Sequence, residues 1–166
     1  MELVNLKIRR YPNLIKGIVI KRGLQWMLLK ENVVDYVLDG YLFINHDYIQ
    51  QVFEYPHDIL DYKVLALKNN FQLSLPNLNN YSDFLNHLRD RHLLIAIGRN
   101  RQQTILVGYV RAVNEKSIIL APIGVELQEL PAIRIDYKKI RYISIMSDYL
   151  ISISNYLCKN RSINVL

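Results

Sequence analysis

Apolar and polar residues alternate in short runs along most of this chain, with the period of two expected of strands whose faces see different surroundings. Leu14–Arg22 and Thr104–Val113 are rich in β-branched residues, and each contains one glycine, Gly17 or Gly108. A glycine inside a strand marks a bend, a bulge or a close approach of two backbones. Trp26–Lys30 and Ser117–Leu120 follow, entered through turns at Gly23 and at Asn114-Glu115. Asp39-Gly40 and Pro131 introduce Tyr41–Ile44 and Ala132–Ile135, and Tyr48–Tyr55 and Lys139–Ile145 come next. Val4–Ile8 and Ile95–Ile97 open the two series, linked onward by Tyr11-Pro12-Asn13 and by Asn100-Arg101-Gln102. Five strands are therefore predicted in each half. The period then changes to that of a helix. Ile59, Leu60, Val64 and Leu67 fall on one helical face within Asp58–Leu67, as do Leu150, Ile153 and Leu157 beyond a capping Ser147. Asn69–Tyr81, with five asparagines and Pro76, reads as a linker, and Ser82 as the cap of a short helix through Phe84, Leu85 and Leu88 to Arg91.

The two series are copies of one another. Displaced by 91 positions, the chain lies on itself without a gap. Gly17-Ile18-Val19 falls on Gly108-Tyr109-Val110, and Trp26-Met27-Leu28-Leu29 on Ser117-Ile118-Ile119-Leu120. Val34 meets Val125, Ile44 meets Ile135, Ile49 meets Ile140, Val52 meets Ile143, and Lys68-Asn69 meets Lys159-Asn160. Identities are few, but an apolar phase kept over some fifty residues marks a repeat. The expected organisation is one module over 1–70, a linker with a short helix over 71–91, and a second module over 92–166. Gly17 and Gly108 are expected at equivalent bends.

Composition narrows the function. The chain has 166 residues, 51% of them hydrophobic, and a formal net charge of +6. That apolar content forms a core and excludes a disordered chain. The single cysteine, Cys158, excludes an internal disulfide and a thiolate zinc site, and its expected role is that of a small buried residue in the last helix. The longest apolar run, Leu93–Gly98, is too short to span a bilayer, and the N-terminus has no basic leader followed by an apolar stretch. A soluble cytoplasmic protein without membrane association is expected. The first 83 residues carry nine basic and nine acidic side chains, and the remainder twelve and six. All of the excess positive charge lies in the second half.

Five short strands with a glycine bend, then an apolar-x-x-x-x-apolar-x-x-apolar strand, resemble the Sm and LSm family, which includes the bacterial Hfq proteins. The stretch from Gly108 through Val113-Asn114-Glu115-Lys116-Ser117 to Ile118-Ile119-Leu120 keeps the spacing of the first Sm motif. Ile44-Asn45-His46-Asp47-Tyr48-Ile49-Gln50-Gln51-Val52 and Ile135-Asp136-Tyr137-Lys138-Lys139-Ile140-Arg141-Tyr142-Ile143 keep the apolar positions of the second. The resemblance implies a mainly β fold of two tandem five-stranded Sm-like (SH3-like) barrels with a few short helices. It also implies edge-to-edge assembly into rings. It does not carry over uridine recognition. Gly23 and Asn114 stand at the family's pocket Asp, Met27 and Ile118 at its Asn, and Asn45-His46 and Asp136-Tyr137 replace its Arg-Gly.

The chemistry in the sequence is sparse. There is no glycine-rich phosphate loop and no His-Glu-x-x-His. His87 and His92 are five apart, off a common helical face, and neither His46 nor His57 has a visible nucleophile partner. Asp58 and Asp61 read as a solvated helix face. No catalytic residue, metal or cofactor is assigned. The expected function is that of a non-enzymatic, self-assembling Sm-like binding or scaffold protein, its partner another copy of itself in a ring of about three or four chains. In that scheme the strands Tyr48–Tyr55 and Lys139–Ile145 are the unguarded edges. The alternative is sequence-tolerant binding of RNA or single-stranded DNA by Arg89, Arg91, Arg99, Arg101, Lys138, Lys139 and Arg141, with tyrosines for stacking. A small-molecule enzyme site between the repeats is the remaining alternative, with no residue assigned to it.

Overall fold

The computed structural model describes residues 2–68, 76–99 and 105–163. Its first half contains β1 (Glu2–Ile8), β2 (Ile15–Arg22), β3 (Trp26–Val34), β4 (Val37–Asn45), β5 (Ile49–Glu54) and α1 (Leu60–Ala66). Its second contains α2 (Tyr81–Asp90), β6 (Leu94–Arg99), β7 (Ile105–Val113), β8 (Ser117–Pro122), β9 (Ile133–Asp136), β10 (Ile140–Ile145) and α3 (Asp148–Ile163). The protein is mainly β. All ten strands belong to one antiparallel sheet in the order β5-β1-β2-β3-β4-β10-β6-β7-β8-β9.

The repeat reappears in the ladders. The order β5-β1-β2-β3-β4 is copied as β10-β6-β7-β8-β9. Gly17 faces Glu31 and Gly108 faces Pro122, each pair 91 positions from the other. The register slips between Val19 and Lys21 in one copy and between Val110 and Ala112 in the other, again at equivalent positions. Trp26 faces Asn45 as Ser117 faces Asp136. Single 3-10 turns, His46–Tyr48 and Tyr137–Lys139, precede β5 and β10, where the sequence pattern had placed the strand starts. The copies differ in one hairpin. β3 and β4 run to nine residues each, whereas Pro122 and Pro131 shorten the corresponding pair to six and four.

The helices correct the expected caps. α2 begins two residues earlier than Ser82 implies, because the Asn80 side chain accepts the Asp83 N–H at 2.8 Å. Ser147 does cap α3, its hydroxyl accepting the Leu150 N–H at 3.3 Å. Leu150 and Ile153 seat that helix on Leu94, Ala96 and Tyr109. Cys158 is exposed, since it lies about 100° around the helix from the inward Leu157. α1 is only seven residues long and has no side-chain cap. Of the linker expected over Asn69–Tyr81, residues 69–75 lie outside the described residues.

One core is shared by both halves. Met27 and Leu29 of β3 face inward with Val4, Leu6, Leu42 and Ile44. Trp26 and Leu28, on the other face of the same strand, pack with Phe43, with Phe84 and Leu88 of α2, and with Ile95, Ile118 and Ile143 of the second half. The unbroken run Trp26–Leu29 is apolar because both of its faces are covered. Phe84 is the keystone, its ring 4.1 Å from Phe43 and 5.0 Å from Trp26. Each such fully buried side chain contributes about 1.5–3 kcal/mol, and the cluster draws its members from both copies.

Candidate functional site

The junction between the copies is a strand pair. β4 and β10 are antiparallel, with Tyr41 opposite Ile145, Leu42 opposite Ser144, Phe43 opposite Ile143 and Ile44 opposite Tyr142. Asn45 anchors its end. This fully buried residue donates from Nδ2 to the Ile140 carbonyl at 2.9 Å. Its Oδ1 accepts the Asp47 N–H at 3.1 Å and the Tyr81 hydroxyl at 3.2 Å. Tyr48 adds a bond from its hydroxyl to the Lys138 carbonyl at 2.5 Å. Tyr81 stacks on Tyr137, with ring centres 5.0 Å apart. Burial, then the neighbouring Asp47 charge, pushes the Tyr81 phenol up to about 12, so it stays a hydrogen-bond donor at any physiological pH.

The pairing leaves two outer strands, β5 and β9, and they are the kinds of strand that meet at the junction. Tyr55 donates its N–H to the Leu3 carbonyl, so alternation turns the N–H groups of Val52 and Glu54 outward from β5. Phe53 on the same strand is 41% exposed. On β9, Asp136 occupies the position equivalent to Asn45, with the Lys139 ammonium 3.1 Å from its carboxylate. Of the two strands expected as edges, only β5 is one. β10 is paired on both sides, and all of its residues but Ser144 are buried. The other free edge is β9, which sequence reasoning had not singled out.

Among the described residues the basic side chains named above do not form one cluster. Arg89 and Arg91 lie at the end of α2, where Arg89 pairs with Asp90 at 2.7 Å. Arg99 ends β6 and so lies roughly 17 Å from its start, at about 3.3 Å per residue. It faces Ile140 in the ladder, beside Lys139 and Arg141. Lys138 and Lys139 are exposed on the 3-10 turn. Arg141 is only 5% exposed, its guanidinium bonded to the Arg10 carbonyl and held 5.9 and 5.8 Å from the Tyr11 and Tyr142 ring centres. Arg101 lies outside the described residues. A strand intervenes between positions that are neighbours in sequence, and this separates them.

The histidines are also dispersed. His57 stacks on Tyr62 and His92 on Tyr109, with ring centres 4.4 and 4.6 Å apart. Asp61 is paired with Lys16. Among the described residues no three histidine, cysteine or carboxylate side chains come together as a metal site, and no helix is long and apolar enough to cross a membrane. Comparison with protein-family models, curated proteins and solved structures found no match.

Proposed function

We propose that this chain is a self-assembling scaffold of two Sm-like five-stranded units, which joins its copies by pairing β9 of one chain with β5 of the next. The reading rests above all on the β4–β10 junction, which already pairs these two kinds of edge within the chain and leaves one of each at the ends. Moving that junction by 91 positions specifies the register between chains: Gln51 opposite Ile135, Val52 opposite Arg134, Phe53 opposite Ile133 and Glu54 opposite Ala132. The side chains suit it. Phe53 and Ile133 form an aromatic–β-branched pair, and Arg134 and Glu54 become diagonal neighbours of opposite charge. A heterologous contact whose rotation closes gives a ring, here proposed at about three or four chains.

The outer junction is weaker than the inner one for a stated reason. Asp136 offers only acceptors to the Ile49 carbonyl of the next chain, where Asn45 offers a donor to Ile140. Association is therefore concentration-dependent. Light scattering over a wide concentration range should show mass rising from one chain to a closed oligomer. Asp136→Asn should tighten the association roughly tenfold, as expected for one added hydrogen bond. Phe53→Lys, at an exposed edge, should abolish it without unfolding the protein. A mass of one chain at every concentration, for Asp136→Asn as well as for the unaltered protein, would overturn the proposal.

A further inference from the structure

A cavity of about 340 Å³ opens where β2, β3 and β4 of the first copy meet β6, β7, β10 and α3 of the second. Its size falls in the range of small-molecule sites, about 300–1,000 Å³. Leu42, Ala96 and Leu150 form its apolar wall. Glu31 and the rings of Tyr11 and Tyr142 supply polar groups and aromatic surface. The two rings meet edge to face with centres 5.8 Å apart. A more open recess of about 420 Å³ adjoins it and shares Tyr11, Ile15 and Glu31.

Glu31 is the anomaly here. It continues the β3 alternation of Met27 and Leu29, which point into an apolar cluster, so the pattern calls for a hydrophobic residue. Its counterpart in the second copy is Pro122, so the carboxylate is not part of the repeat. Among the described residues no lysine or arginine forms an ion pair with it. Taking a carboxylate partly out of water without a counter-ion is unfavourable, and that cost is relieved when a cation arrives. Aromatic faces beside the carboxylate favour the same charge.

We propose that this cavity binds a small organic amine in its protonated form, with the ammonium group on Glu31 beside the Tyr11 and Tyr142 rings and the apolar body against Leu42, Ala96 and Leu150. The site is independent of self-assembly, since none of these residues belongs to β5 or β9. Burial, and then the charge of Asp39 on β4, holds the Glu31 carboxyl above the usual range. The other ionisable groups around it are the phenols of Tyr11, Tyr142 and Tyr149, Arg141 beside the first two, and Asp35, Tyr36 and the Lys16–Asp61 pair at the adjoining recess. Amine binding should consequently strengthen as pH rises through the elevated pKa of Glu31 and weaken as Glu31 is protonated.

The probes are benzylamine and its neutral counterpart benzyl alcohol, titrated into the full chain at millimolar concentration and followed by NMR. Benzylamine should shift the signals of Leu42, Ala96 and Leu150 and bind roughly tenfold tighter than the alcohol, the worth of a charge-assisted hydrogen bond. Glu31→Gln should remove that preference. In the unaltered protein, acidification should remove it too, which tests the site without any substitution. Equal binding of the two probes at neutral pH, a preference that survives Glu31→Gln, or shifts confined to other residues would overturn the proposal.

Discussion

Gly108→Val should lower the stability of the protein by about 3 kcal/mol, at the upper end of the usual cost of overpacking. A Cβ at Gly108 would lie 2.3 Å from the Ala121 carbonyl oxygen and 2.9 Å from the Pro122 Cα. Both contacts are with the backbone of the facing strand, so no side chain can rotate away to relieve them. The strand pair must instead separate just above its bulge. Gly17→Val meets the equivalent oxygen, that of Lys30, at 2.7 Å, and should cost less because the gap is wider. Valine adds to the clash a β-branched side chain with little rotamer freedom to escape it. Denaturant unfolding followed by circular dichroism measures both losses. A loss below about 0.5 kcal/mol at Gly108, the size of an ordinary surface change, would show that the two backbones are not held together there.

Asn45→Ala should also cost about 3 kcal/mol, the upper end for stranding a buried hydrogen-bonding group. The substitution leaves the Ile140 carbonyl, the Asp47 N–H and the Tyr81 hydroxyl without the partner they share. Asn45→Asp should be worse still. It keeps an acceptor for Tyr81 and Asp47 but turns a fully buried amide into a carboxylate facing the Ile140 carbonyl. Asn is thus expected to be better than Asp at both junctions, Asn45→Asp destabilising the inner one and Asp136→Asn tightening the outer one. Calorimetry tests the first half. The unaltered protein should unfold in one transition, because Phe84 and Trp26 tie the halves into one core. Equal stability of Asn45→Asp and the unaltered chain would show that the junction does not depend on this amide.

Much of the fold was legible because strand patterning is local. Gly17 and Gly108 showed where backbones approach, and the 91-residue offset carried through to the ladder registers and bulges. The misreadings have local causes as well. Asn80 and Ser82 are both good caps two residues apart, and only the bond to Asp83 chooses between them. The run Lys139–Ile145 carries polar and aromatic residues that read as an exposed edge. In the fold Arg141 and Tyr142 pack against Tyr11, and β4 covers the strand. Glu31 drew no notice, since a lone carboxylate in a strand looks like one more solvated position until a cavity closes around it.

The strands and the cap of the last helix were readable because each depends on residues within a few positions of one another, and the repeat because such local patterns recur 91 positions apart. Tertiary structure alone decided which edges meet. Asn45 and the Ile140 carbonyl are 95 positions apart, and no periodicity shows that a donor on one strand will find an acceptor so distant. The same holds for the free edges, for the scattering of the basic residues and for the cavity at Glu31. These are properties of strands laid side by side, and side-by-side placement is set by packing across the whole chain, which no local pattern records.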